Sequence, residues 1–93
     1  DFENVKINIP FFGKFCVANP PNSTQKLYSG IKTESGIKEI ESLYIKNNIA
    51  HYKKVFTEKY LGKQLIISWS EILNNKGEII KRDTIKTDII VIP

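Results

Sequence analysis

Residues 63–93 leave little freedom in the choice of fold. Gln64-Leu65-Ile66-Ile67-Ser68-Trp69-Ser70-Glu71-Ile72-Leu73 is an apolar run rich in isoleucine. Such β-branched side chains lose rotamer freedom in a helix and pack well on a pleated surface. Asn74-Asn75-Lys76-Gly77 supplies turn chemistry. From Glu78 to Ile92 the chain alternates apolar with polar residues, the period of a half-buried strand. The segment therefore predicts one long β-hairpin against which the rest of the chain packs. In its first strand Leu65, Ile67 and Trp69 share one face, and Ile66 and Ser68 the other. Trp69, the only tryptophan, reads as a core residue rather than a ligand platform. Near the end Ile89, Ile90, Val91 and Ile92 make both faces apolar, which predicts cover on both sides or over the tip.

Shorter β signals precede the hairpin. Val5 to Ile9 alternates and is ended by Pro10, which cannot donate to a ladder. Phe11-Phe12-Gly13 is a connection whose aromatics cap the core or form a contact patch. Lys14 to Ala18 is a second short strand. Asn19-Pro20-Pro21-Asn22-Ser23-Thr24 is the clearest loop and contains an Asn-Ser-Thr glycosylation acceptor pattern. Lys26 to Tyr28 with Ile31 is a weak strand interrupted by Gly30, and Thr33 to Gly36 is a turn. Residues 37–61 admit two readings. As helices, 37–46 and 49–61 each carry an apolar face, with Ser35 and Asn48 as N-caps and Gly62 beyond the end. As strands, they fold about Asn47-Asn48, residues that tolerate positive φ. That fold pairs Leu43 with Tyr52, Glu41 with Lys54 and Ile40 with Val55, all favourable across a ladder. The expectation is the second: an all-β, about seven-stranded antiparallel sandwich occupying 1–93 as a single domain. The alternative is an α+β fold with helices at 37–46 and 49–61 packed on a β-sheet.

Chemistry is sparse. The chain carries a net charge of +4 at pH 7, but its lysines are spread among acids, as in Lys38-Glu39-Ile40-Glu41. That spread suits a solubilising surface better than a phosphate-binding stripe, which concentrates charge and favours arginine. Cys16 is the only cysteine; no internal disulfide is possible, and its Phe15-Cys16-Val17 setting predicts a small buried hydrophobe. His51 is the only histidine. One His and one Cys do not assemble a zinc site, and no elbow motif supports a triad, so His51 reads as an exposed strand residue. Glu39 and Glu41 share a strand face but are flanked by lysines and read as solvated. No glycine-rich loop cradles a phosphate. Neither an enzyme nor a cofactor is expected. No run is long enough to span a bilayer. The absence of methionine and the start at Asp1 suggest a processed N-terminus or a domain cut from a longer protein.

From Tyr52 to Pro93 the chain resembles the second half of bacterial immunoglobulin-like or fibronectin-type modules. The residues that carry the resemblance are Tyr60-Leu61-Gly62-Lys63, Leu65-Ile66-Ile67-Ser68-Trp69, Asn75-Lys76-Gly77-Glu78 and the closing Thr84 to Pro93. The Cys…Trp…Cys signature of antibody domains is absent. The resemblance implies an immunoglobulin-like sandwich. The expected function is a non-catalytic interaction or assembly module of an exported or surface-associated bacterial or phage protein. Its partner would be a protein, a glycan or neighbouring domains of a longer chain. Phe11, Phe12, Asn19 and Asn22 are the candidate contact residues, together with any exposed strand edge, which could accept a partner strand. A second function, a small basic β-barrel binding single-stranded nucleic acid, would draw on Tyr44, Tyr52, Lys53 and Lys54 for stacking and phosphate contacts; the scattered charge makes it the weaker of the two.

Overall fold

The structure, a computed structural model, describes residues 2–93. Among these residues it is built of strands: β1 (Glu3–Lys6), β2 (Phe11–Cys16), β3 (Thr24–Thr33), β4 (Gly36–Leu43), β5 (Ile45–Lys46), β6 (Ile49–Lys54), β7 (Gly62–Leu73) and β8 (Ile79–Ile92). One 3-10 turn, Glu58–Tyr60, precedes β7. The strands form a five-stranded sheet in the order β1-β8-β7-β3-β4 and a three-stranded sheet in the order β2-β6-β5. All neighbours are antiparallel except β1 and β8. The all-β expectation holds, and the helical alternative for 37–46 and 49–61 does not. The strands there are separated by Asn47 (φ 51°) and Asn48 (φ 64°), the two-residue turn that asparagine tolerates. Each sheet keeps two edges, so the barrel assumed for a nucleic-acid binder does not form.

The long hairpin is present. β7 and β8 pair from Gly62–Val91 to Leu73–Ile79, with one irregularity at Ile72/Leu73. Asn74 makes the turn: its Oδ1 accepts the amides of Lys76 (2.9 Å) and Glu78 (3.0 Å). Gly77 supplies the positive φ of 81° that closes it. β7 lies in the middle of the large sheet, with β3 on its other side.

The core forms between the sheets. From the large sheet it takes Val5, Leu27, Ile31, Ile66, Ile72, Ile89 and Val91, and from the small sheet and its flanks Val17, Ala50, Tyr52 and Phe56. β7 therefore turns Ile66, Ser68 and Ile72 inward. Trp69 is half-buried on the opposite, outer face, stacked on Tyr28 with ring centroids 5.4 Å apart. This corrects the reading of Trp69 as core. Ser68 can face inward because Ser29, directly opposite on β3, meets its hydroxyl at 2.7 Å. Cys16 is corrected as well. Phe11, Phe15 and Val17 face in, so the strand period puts Phe12, Lys14 and Cys16 on the exposed side.

The pairing of residues 37–55 differs in an instructive way. Lys46–Ile49 and Ile45–Ala50 pair about the asparagine turn in the expected register. The ladder then stops at Tyr44, and β4 pairs with β3 in the other sheet instead. Leu43–Tyr52, Glu41–Lys54 and Ile40–Val55 are consequently not rungs; Leu43 pairs with Leu27 and Tyr52 with Gly13. β3 is a ten-residue strand joined to β4 by a tight turn. That turn is held by Thr33 Oγ1, which donates to the Gly36 carbonyl at 2.8 Å. The β3–β4 ladder is irregular between Ser29 and Ile31, and Glu39 opposite adopts φ 53°. Gly30 belongs inside β3 rather than interrupting it. A Cβ there would lie 2.5 Å from Ile37 Cγ2 and 3.0 Å from the Lys38 carbonyl oxygen. Gly30→Ala is predicted to cost about 1–3 kcal/mol, as overpacking does. Denaturant unfolding checks this, and an unchanged midpoint would show that β4 does not lie so close.

Candidate functional site

The outer face of the large sheet is the most site-like surface. Cross-strand pairing sets Tyr28 of β3 against Trp69 of β7, and Trp69 against Thr84 of β8. The Arg82 guanidinium bonds Glu71 Oε2 at 2.8 Å on the same face. Ile37 and Ile40 of β4 lie over Gly30. Ile37, Ile67, Trp69, Arg82 and Thr84 surround a shallow cavity of about 360 Å³. Ile40 is 53% exposed. No second layer covers this face among the described residues. The sequence signal for it is weak: the inner face of β7 mixes Ser68 and Ser70 with Ile66 and Ile72, while Trp69 stands on the other face.

The residues singled out from sequence are divided by strand alternation. Phe11 turns inward and meets Phe56 edge-to-face at 6.5 Å. Phe12 is 67% exposed on the outer side of the small sheet. Its ring lies 6.0 Å from Lys53 Nζ, its partner across the ladder. Asn19 and Asn22 are exposed in the β2–β3 loop, where Asn22 adopts φ 59°. Tyr44 is exposed at the break between β4 and β5, beside Ile49 and His51. His51 is exposed. Tyr52 is a core residue at 1% exposure, so its ring cannot stack on an outside ligand. Lys54 points the same way, pairs with Glu39 and lies 5.7 Å from the Tyr60 ring centre. Tyr44, Tyr52, Lys53 and Lys54 thus do not form one face.

Tyr52 marks a polar seam between the sheets. Its hydroxyl is the one buried side-chain polar atom without a hydrogen-bond partner among the described residues. Burial, then the carboxylates of Glu41 and Glu39, push its pKa up to about 12. No group of three His, Cys, Asp or Glu side chains gathers as a metal site among the described residues. Among the described residues no helix is long and apolar enough to cross a membrane. Comparisons with known protein families, curated proteins and solved structures give no match.

Removing the unpartnered hydroxyl relieves a desolvation cost. Tyr52→Phe is predicted to leave stability near neutral pH unchanged or raised by about 1 kcal/mol. The folded protein holds the Tyr52 proton more tightly than the unfolded chain, whose tyrosine titrates near about 10. That contribution is fully present below the unfolded value and is lost as pH rises through about 12. Wild type should therefore lose stability on alkalinisation faster than Tyr52→Phe. Equal slopes would mean that the hydroxyl is solvated in the folded protein and not buried.

Proposed function

We propose that the chain is a non-catalytic, immunoglobulin-like module that binds a protein partner through the outer face of its large sheet. Support for the immunoglobulin-like part is the connectivity. With β1 to β8 lettered A, B, C, C′, D, E, F and G, the sheets read A-G-F-C-C′ and B-E-D. Immunoglobulin sandwiches likewise divide C, F and G from B, E and D, with C′ added beside C in the variable type. The resemblance of residues 52–93 points the same way, although Trp69 falls on strand F and not on C. The same resemblance favours an exported or surface-associated bacterial or phage protein, in which neighbouring domains flank this one.

The observation that carries the binding role is an aliphatic and aromatic strip on the outer face, made of exposed Ile40 with half-buried Ile37 and Trp69 over the buried Ile67. The outer face of a solvated antiparallel sheet is ordinarily polar, and a contiguous apolar patch on a surface marks a contact site. A protein suits it better than a sugar. A sugar needs a free aromatic face, and Tyr28 and Trp69 stack on each other at an interplanar angle of 25°. Nucleic acid is the weaker reading, because the exposed lysines are dispersed and interleaved with Glu71, Asp83 and Asp88.

Ile40→Glu tests the reading. At an exposed position the change should alter stability by no more than about 0.5 kcal/mol, while abolishing capture of the cognate partner from the source organism. Capture that survives both Ile40→Glu and Thr84→Lys would refute the assignment of this face. Retention on a single-stranded oligonucleotide column, falling steeply with salt, would favour the nucleic-acid reading instead.

A further inference from the structure

The small sheet lacks a strand on its β2 side. β2 is an edge, bonded only to β6. Val17 N–H donates to the Asn48 carbonyl at 2.8 Å, which fixes the phase of the ladder. In an antiparallel pair, residues bonded to the neighbour alternate with residues whose polar groups point away. Phe12, Lys14 and Cys16 therefore direct their N–H and C=O groups to the open edge.

The space beside that edge is also unfilled. Ile85 faces inward on β8 with the same parity as Ile89 and Val91. Ile89 is 0% exposed and Ile85 is 49% exposed, because the small sheet stops short of it. Between them opens a cavity of about 280 Å³, lined by Phe15, Val17, Leu27, Ile72 and Ile85 among others, with Ser70 and Asp83 as polar members of its wall. A second opening, of about 430 Å³, separates β1 from Phe11 and Phe12 at the other end of β2. An open row of backbone groups with an apolar trough alongside is the geometry that accepts an added strand.

We propose that the free edge of β2 takes an extended segment of a partner protein as a fourth strand of the small sheet. Its alternate residues are apolar, to fill the trough over Ile85, Phe15 and Val17. The residues between them are acidic, because on the outer side they lie beside Lys14, with Lys53 one strand further in. Asp83 does not oppose this, being paired with Lys81 at 3.7 Å. A second copy of this chain is the poorer occupant. Two β2 edges in full antiparallel overlap would set Lys14 against Lys14, a destabilising like-charge pair. The edge is separate from the Ile40–Trp69 face and does not depend on a partner there.

The probe is a capped octapeptide alternating valine and glutamate, added to the isotope-labelled chain. Amide hydrogen exchange is read by NMR. At saturation, exchange at Phe12, Lys14 and Cys16 should slow by at least about tenfold, the mark of new backbone hydrogen bonds. A peptide alternating valine with lysine should bind about tenfold more weakly, and one N-methylated at alternate backbone positions should not bind. Ile40→Glu should leave the peptide's affinity unchanged, which separates this site from the outer face. No slowing at millimolar peptide would overturn the proposal. So would protection at β4 or β5 instead, unaltered binding of the N-methylated peptide, or protection that grows with protein concentration when no peptide is present.

Discussion

A hydrogen bond between two serines sets the orientation of the central strand. Ser29 and Ser68 face each other across β3 and β7, both at 0% exposure, with hydroxyls 2.7 Å apart. Each satisfies the other, so neither bears the cost of about 1–3 kcal/mol that a buried orphan would carry. This pair fixes which side of β7 is inside. Strand side chains alternate strictly, so placing Ser68 inward also places Ile66 and Ile72 inward and Trp69 outward. The opposite orientation would strand both hydroxyls on an open face and bury Glu71 together with Trp69. Everything exposed on the outer face follows from that single choice, including the Tyr28–Trp69 stack and the aliphatic strip beside it.

The long strands then divide the molecule into a covered and an uncovered half. β8 runs for fourteen residues, and the small sheet is too short to cover them. Ile89 and Val91 meet Val5, Tyr52 and Phe56 and are sealed. Ile79, Ile80 and Ile85 remain half-exposed. The same mismatch in strand length leaves the β2 edge open beside a trough. The exposed surfaces are thus consequences of how a long hairpin is packed against a small partner sheet.

Local chemistry was legible in the sequence where it acts over a few residues. The Asn74–Gly77 turn, the Asn47–Asn48 turn and the alternation of Glu78 to Ile92 announced the hairpins, and with them an all-β sandwich. Long-range choices were not legible. Leu43 sits in the right register to follow Ile45 along β6, yet β4 leaves for β3, because a ten-residue antiparallel partner outweighs a short continuation. No local signal encodes that competition. The inward face of β7 was misread for a related reason: tryptophan outweighs serine on any burial scale, and only the partner at Ser29 reverses the order. Of the candidate contact residues, Phe12 and Lys53 do meet on the small sheet's outer side, because they are ladder partners. Tyr52 and Lys54 share their strand with Lys53 and face the other way.

The serine pair can be tested by a double-mutant cycle in denaturant unfolding. Ser29→Ala and Ser68→Ala should each cost about 1–3 kcal/mol, because each leaves the other hydroxyl buried and unpaired. The double variant should lose no more than either single one, giving a coupling energy at least as large as the larger single loss, about 1–3 kcal/mol. Losses that simply add, or single losses near zero, would mean that the two hydroxyls do not meet in the core and that β7 does not turn this face inward.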